Sequence, residues 1–375
     1  MLDLQPLIES IVQQSLAGES ADVVLRRELK QSRGLSRSDA SFAARTVFAY
    51  FRWKGWLNED KPLPERIIDA RSLGRRFEKD PNTFTETEMF AKAVPAWISQ
   101  EFPVTASWVF SLQEKPKLWL RTRRGEAKQV SRALGHCRMP RLGLPLDALE
   151  YQGVEDLYGT RTFSSGEFEV QDLSSQAVGW LCDPKSGETW WDACAGAGGK
   201  TLHLSQLMEN KGLIWATDAV EWRLKELQRR AARAKAFNFR AKEWNGAAKL
   251  PFRTKFNGVL VDAPCSGIGT WQRNPHARWS LNARDVNELV EKQKRILGHA
   301  SVAVKPGGKL IYSVCTLTRR ETQGVADWFE RTFPQFEPLS QPNPLIAERG
   351  AASRHLFVPP EVPANGMFVA AWKRR

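Results

Sequence analysis

Two of the five cysteines stand in comparable settings. Asp262-Ala263-Pro264-Cys265 follows one apolar run, and Ser313-Val314-Cys315-Thr316 follows another. A free cysteine is most often a small, inert, buried residue. Two at strand ends, on the edge where open α/β sheets bind ligands, point instead to covalent catalysis. A thiolate that adds to carbon 6 of cytosine turns the ring into an enamine, nucleophilic at carbon 5. Carbon 5 then takes a methyl group from a sulfonium, and loss of its proton expels the thiolate. A nearby cation would favour thiolate over thiol. Lys200 is a candidate, although a lysine at a helix start is commonly just solvated.

The second constellation is glycine-rich. Residues 190–201 read WWDACAGAGGKT, a strand entering a turn that opens a helix. Glycines there let backbone approach a ligand closely. A nucleoside-triphosphate loop needs GxxxxGK[ST], and the first glycine position is Cys194. A dinucleotide GxGxxG fails at Thr201. Asp218 ends the next strand, placed to accept hydrogen bonds from ribose hydroxyls. A ribose-bearing cofactor without pyrophosphate fits best, which points to S-adenosyl-L-methionine; a packing turn and a surface acid are the plainer alternative.

The elements that must position these groups follow from periodicity. Strands are expected at 189–193, 213–217, 239–243, 258–262 and 309–314, and helices at 219–236, 283–304 and 321–332. Their alternation implies a mainly parallel sheet of Rossmann-like α/β class. Residues 355–358 and 367–372 would add an antiparallel pair at the sheet edge. Upstream, 117–124 reads as a strand, 126–134 as a helix and 142–173 as strand-rich. Leu4, Leu7, Ile8, Ile11 and Val12 share a helical face, as do Ala43, Val47, Tyr50 and Phe51 in a second helix capped by Ser38 or Asp39. The expected organisation is a helical module over 1–110, a small α/β insert over 111–173 and a catalytic domain over 174–375.

The charge balance is uneven. Of 55 basic and 42 acidic residues, the helical module carries equal numbers, whereas 111–145 is strongly basic. A basic concentration suits a polyanion such as RNA, or is simply a solvated surface. No CxxC spacing occurs, so a metal site is not expected. No apolar leader opens the chain and no run is long enough to span a bilayer, so a cytoplasmic protein without membrane attachment is expected.

These residues resemble the Nop/Sun family of RNA cytosine-5 methyltransferases, most closely the bacterial ribosomal RNA (Sun/RsmB-like) type. DACAGAGGKT is similar to its cofactor loop, DAPCSGIGTWQRNPHARW (262–279) to its fourth motif and YSVCT (312–316) to its sixth. VQDLSSQ (170–176) and KPKLWLRTRR (115–124) resemble segments leading into the catalytic domain, and 35–57 resembles a NusB-like helical RNA-binding domain. The resemblance implies 5-methylcytosine formation in 16S ribosomal RNA, with transfer RNA second. It implies Cys315 as nucleophile, Cys265 assisting release, and Asp262 and Lys200 orienting cytosine and thiol. It places Cys194, Ala195, Gly196, Ala197, Gly198, Gly199, Lys200, Asp218, Arg223, Asn245 and Asp262 around the cofactor. The residues do not reveal the oligomeric state, and a monomer is the default expectation.

Four positions depart from the family pattern: Asn245 for an acid, His276 for an acid, Val314 for threonine and Asn365 for an acid. Arg273, Arg278, Arg319 and Arg320, with Trp271 and Trp279, could grip phosphates and stack bases, core packing being the alternative for each tryptophan. Two other readings stay open. A DNA cytosine-5 methyltransferase would use Cys265 and need a large recognition domain, where only about 60 residues follow Cys315. A non-catalytic RNA-binding assembly factor would share the scaffold but not bind S-adenosylmethionine.

Overall fold

A computed structural model describes residues 3–32, 34–142 and 147–375. The chain forms two compact units. One comprises residues 1–116 with 267–285, the other 117–266 with 286–375.

The first unit is helical. Gln5–Leu16 buries Ile8, Ile11 and Val12. Arg37–Trp53 buries Ala43, Val47, Tyr50 and Phe51. Its cap is Ser36 rather than Ser38 or Asp39. The Ser36 hydroxyl accepts from Asp39 N–H, and the Asp39 carboxylate accepts from Ser36 N–H, both at 3.1 Å. This reciprocal box places the polar start before the first turn, where backbone donors lack partners.

The second unit is built on an eight-stranded sheet. Its strands are β1 (Thr189–Asp192), β2 (Leu213–Asp218), β3 (Phe239–Glu243), β4 (Phe256–Asp262), β5 (Val304–Val314), β6 (Phe336–Pro338), β7 (Arg354–Phe357) and β8 (Met367–Arg374). β3, β2, β1, β4 and β5 are parallel neighbours in that order. β8 pairs antiparallel with β5, and on its other side with β6 and β7. The expected C-terminal pair therefore forms, but β8 is interior and the short 336–338 strand extends the sheet. The helices are α1 (Leu173–Cys182), α2 (Gly199–Leu207), α3 (Glu221–Ala234), α4 (Ala283–Ser301) and α5 (Val325–Thr332). A π-helical turn, Arg320–Gly324, precedes α5 where a continuous helix was expected. Trp190, Leu204, Ile214, Leu260 and Ile311 share one wholly buried core cluster.

The insert is a four-stranded antiparallel sheet including Leu118–Thr122, Ala148–Tyr151 and Phe168–Val170. The stretch expected to be strand-rich also holds helical turns at Leu157–Gly159 and Arg161–Ser164; its residues 143–146 lie outside the described residues. No described helix is long and apolar enough to cross a membrane.

Candidate active site

The glycine loop leaves β1 at Asp192 and enters α2 at Gly199. Gly196 and Gly198 have φ of 54° and 86°, left-handed values that side chains resist. A Cβ at Gly198 would meet the Leu227 side chain at 2.6 Å, whereas one at Gly196 would meet nothing within 4 Å. The loop is tight against α3 and open at Gly196, as a ligand cradle requires. Its backbone is braced from several sides. Ala195 N–H donates to Thr217 O at 2.8 Å and Gly196 N–H to Asp218 Oδ2 at 2.9 Å. Arg230 donates to Ala197 O at 2.9 Å, and Arg121, from the insert, to Gly199 O at 3.0 Å.

Asp218 is thus a brace as well as a candidate ribose acceptor. Its other oxygen accepts from Val220 N–H at 2.9 Å, with Arg223 at 3.7 Å. Each carboxylate oxygen has a second lone pair, so capacity for a hydroxyl remains. Asn245 is exposed, and its Oδ1 accepts from Ala247 N–H at 3.1 Å. With Ala219, Trp244 and Leu250 it lines a cleft of ≈ 430 Å³. Cys194, in the loop itself, is partly exposed, and desolvation raises its thiol well above the ordinary range.

The two motif cysteines converge. Cys265 and Cys315 lie with sulfurs 3.3 Å apart, both partly exposed. Next to them, Lys200 Nζ donates to Asp262 Oδ2 at 2.7 Å, and Ser313 Oγ donates to Asp262 Oδ1 at 2.7 Å. Burial disfavours the Lys200 ammonium. The surrounding anionic groups, led by Asp262 and including the Cys315 sulfur, outweigh it and raise its pKa. Lys200 therefore stays a cation.

Sequence reasoning passed over several of these partners. Asp192 is fully buried, accepts from Thr201 Oγ1 at 2.7 Å, and burial raises its pKa to about 7. Its strand-end position before the glycines was the available signal. Ser313, Arg121 and Arg230 had no comparable mark, since their roles depend on which strands become neighbours.

The expected RNA-gripping set is partly corrected. Arg278 is fully buried and donates to the carbonyls of Trp271, Ala93 and Leu112. Trp271 is also fully buried, and Trp279 Nε1 donates to Phe51 O at 2.7 Å. These side chains hold 267–285 within the helical unit, where packing outcompetes solvent exposure. Arg320 bonds Asn287, while Arg273 and Arg319 are exposed. One departure also gains a structural account. His276 contacts Ser15 O at 3.1 Å and meets the Phe51 ring edge-on. The backbone N–H of Asn365 donates to the Asp172 carboxylate, a bond that does not depend on its side chain.

Comparison with known proteins agrees with this geometry. The family model described as 16S rRNA methyltransferase RsmB/F matches residues 179–373. A probable ribosomal RNA small subunit methyltransferase B of Bacillus subtilis (strain 168) is 38% identical over 223 residues, 58% of this chain and 50% of that protein. A protein of the same name from Synechocystis sp. (strain ATCC 27184 / PCC 6803 / Kazusa) is 28% identical over 405 residues, covering 99% and 87%. The crystal structure of PH0851 superposes with a TM-score of 0.78 at 21% identity, over 100% of this chain and 99% of that one, and shows the same fold. Fold, family and open glycine cradle together make S-adenosyl-L-methionine the cofactor. The chain belongs to the 16S rRNA methyltransferase RsmB/F family.

Proposed function

We propose that this chain methylates carbon 5 of a cytosine in small-subunit ribosomal RNA, through covalent addition of Cys315 to carbon 6. The supporting observation is the pair of strand-end thiols 3.3 Å apart beside the Lys200–Asp262 ion pair. S-adenosylmethionine supplies an electrophilic methyl group. The loop 194–200, Asp218, Arg223, Asn245 and Asp262 would hold it.

The Cys315 thiolate forms the sulfur–carbon 6 bond, and the ring electron pair moves to carbon 5. Lys200 favours the thiolate and, with Asp262, orients the cytosine edge. Once carbon 5 is methylated, Cys265 as base takes its proton, that electron pair re-forms the carbon 5–carbon 6 double bond, and the sulfur–carbon 6 bond breaks to return the Cys315 thiolate. Cys265 sits where it can assist that release. Buried cytosines must leave their stack to reach the thiol, so an unpaired or mispaired site is the expected target. Arg124, Lys128, Arg132, Arg138 and Arg141 are exposed on the insert and suit phosphate contacts.

The test uses small-subunit ribosomal RNA from a strain lacking the gene, labelled cofactor and nucleoside analysis. Labelled 5-methylcytidine is expected with the wild-type chain. Cys315→Ala should lose turnover by at least about 1,000-fold. Cys265→Ala should accumulate a covalent RNA adduct stable on a denaturing gel. Turnover by both variants would sink the covalent mechanism; absence of label on any RNA despite cofactor binding would favour an assembly role.

A further inference from the structure

Glu321 is fully buried and lies in the π-helical turn Arg320–Gly324, although the mechanism above gives it nothing to do. Its carboxylate gathers both cysteine loops. Oε1 accepts from Ser266 N–H and from Gln293 Nε2, each at 2.9 Å. Oε2 accepts from Ser266 Oγ at 2.5 Å, Thr318 Oγ1 at 2.8 Å and Thr316 Oγ1 at 3.2 Å. Ser266 follows Cys265, and Thr316 follows Cys315. Their hydroxyls also meet directly at 2.7 Å.

The neighbours complete the arrangement. Gln293 Nε2 donates to Pro264 O at 3.0 Å, so the backbone is held on both sides of Cys265. Tyr312 OH donates its single proton to Glu321 O at 2.7 Å, with Gln293 Oε1 3.1 Å away, which ties the turn to β5. The backbone N–H of Ser266 and the Gln293 amide donate to Oε1, and the hydroxyls of Ser266, Thr316 and Thr318 share their protons between Oε2 and one another. Burying the carboxyl group is tolerable because these bonds replace water. A wide π turn is the local distortion that lets one residue of a helix start reach inward.

We propose that Glu321 is a positioning residue that clamps the Cys265 and Cys315 loops together and sets the separation of their sulfurs. In this role it acts through Ser266 and Thr316. A glutamine is nearly isosteric, but its amide nitrogen would bring two hydrogens to three hydroxyls that must turn from donating to accepting. That rearrangement loosens the clamp, and the loops separate.

The proposal rests on the covalent reading above. It is tested in the full-length chain carrying Cys265→Ala, where addition by Cys315 is read as RNA adduct on a denaturing gel. Glu321→Gln, Glu321→Asp and Ser266→Ala are added one at a time, with cofactor affinity and thermal melting measured on each. Cofactor affinity should stay within about twofold. Misplacement by about 1 Å can cost on the order of 100-fold in rate. Adduct formation should therefore slow by about that much in Glu321→Gln, by roughly 10-fold in Ser266→Ala, and be partly recovered in Glu321→Asp. Parent-like adduct rates in folded Glu321→Gln, or in Ser266→Ala where Glu321→Gln does not fold, would overturn the clamp.

If the Cys265→Ala parent forms no adduct, the covalent reading has failed and the clamp is judged separately. Iodoacetamide labelling of Cys265 and Cys315 is then compared in otherwise wild-type protein by peptide mass spectrometry. The clamp requires the ratio of their rates to change by at least about threefold in Glu321→Gln or Ser266→Ala. An unchanged ratio rejects it.

Discussion

Lys200 and Asp192 flank the glycine loop, and burial disfavours the charge on both, with opposite outcomes. Lys200 keeps its charge because Asp262 is within hydrogen-bond reach. Asp192 has the Thr201 hydroxyl on one oxygen, and burial raises its pKa to about 7, with the Asp262 charge adding to the effect. An acid whose folded pKa exceeds its unfolded value stabilises the fold fully below about pH 4, and that contribution is lost as pH climbs through about 7. The full effect is up to about 4 kcal/mol. Asp192→Asn removes it, so its melting temperature should fall less between pH 5 and pH 8 than that of the wild type. Equal slopes in calorimetry at the two pH values would contradict the assignment.

The same loop shows how an element divides its labour between packing and binding. Gly198 and Gly196 both have positive φ, but only Gly198 has a side chain in its way. Gly198→Ala combines backbone strain with a collision at Leu227, and should cost roughly 2–4 kcal/mol of stability. Gly196→Ala meets open space and should cost only about 1 kcal/mol. If that space is the cofactor's, however, S-adenosylmethionine affinity should fall at least about 10-fold. Calorimetric melting and titration of both variants separate the two effects. Unchanged cofactor affinity in Gly196→Ala would move the binding site elsewhere. The bracing by Arg121 also gives the insert a role in shaping the loop, in addition to any contact with RNA.

At the scale of the molecule, the chain returns to its first unit after Cys265. Residues 267–285 group with 1–116, and inside that unit they are bound by polar contacts. Arg52 donates to Gln272 O at 3.0 Å, Gln272 Nε2 to Ser111 O at 2.8 Å, and Arg278 to Leu112 O at 2.5 Å. The helical unit is therefore completed by a segment of the fourth motif. Arg278→Ala would leave several buried carbonyls without a donor, and should destabilise this unit by about 2–4 kcal/mol. A fragment of residues 1–116 should melt without cooperativity, and a peptide of residues 267–285 added in trans should restore a cooperative transition. A fragment that melts cooperatively alone would refute this account.

The sequence by itself determined the parallel α/β class, the glycine cradle and the presence of two thiols at strand ends. Each of these is local: alternation of strand and helix, glycine where φ must be positive, cysteine after an apolar run. Several helix starts were readable to within a residue or two, because caps compete with their neighbours over short distances, as Ser36 did with Ser38; α5 starts four residues later than expected because a π turn precedes it. Tertiary structure alone decided the rest. Cys265 and Cys315 are 50 residues apart in the chain, and only the pairing of β4 with β5 brings their loops into register. Glu321 carries no mark in the sequence, since its partners come from three separate segments. Arg278 read as an RNA contact and Trp271 as either an RNA contact or core, because charge and aromaticity look alike whether buried or exposed; packing within the helical unit buries both.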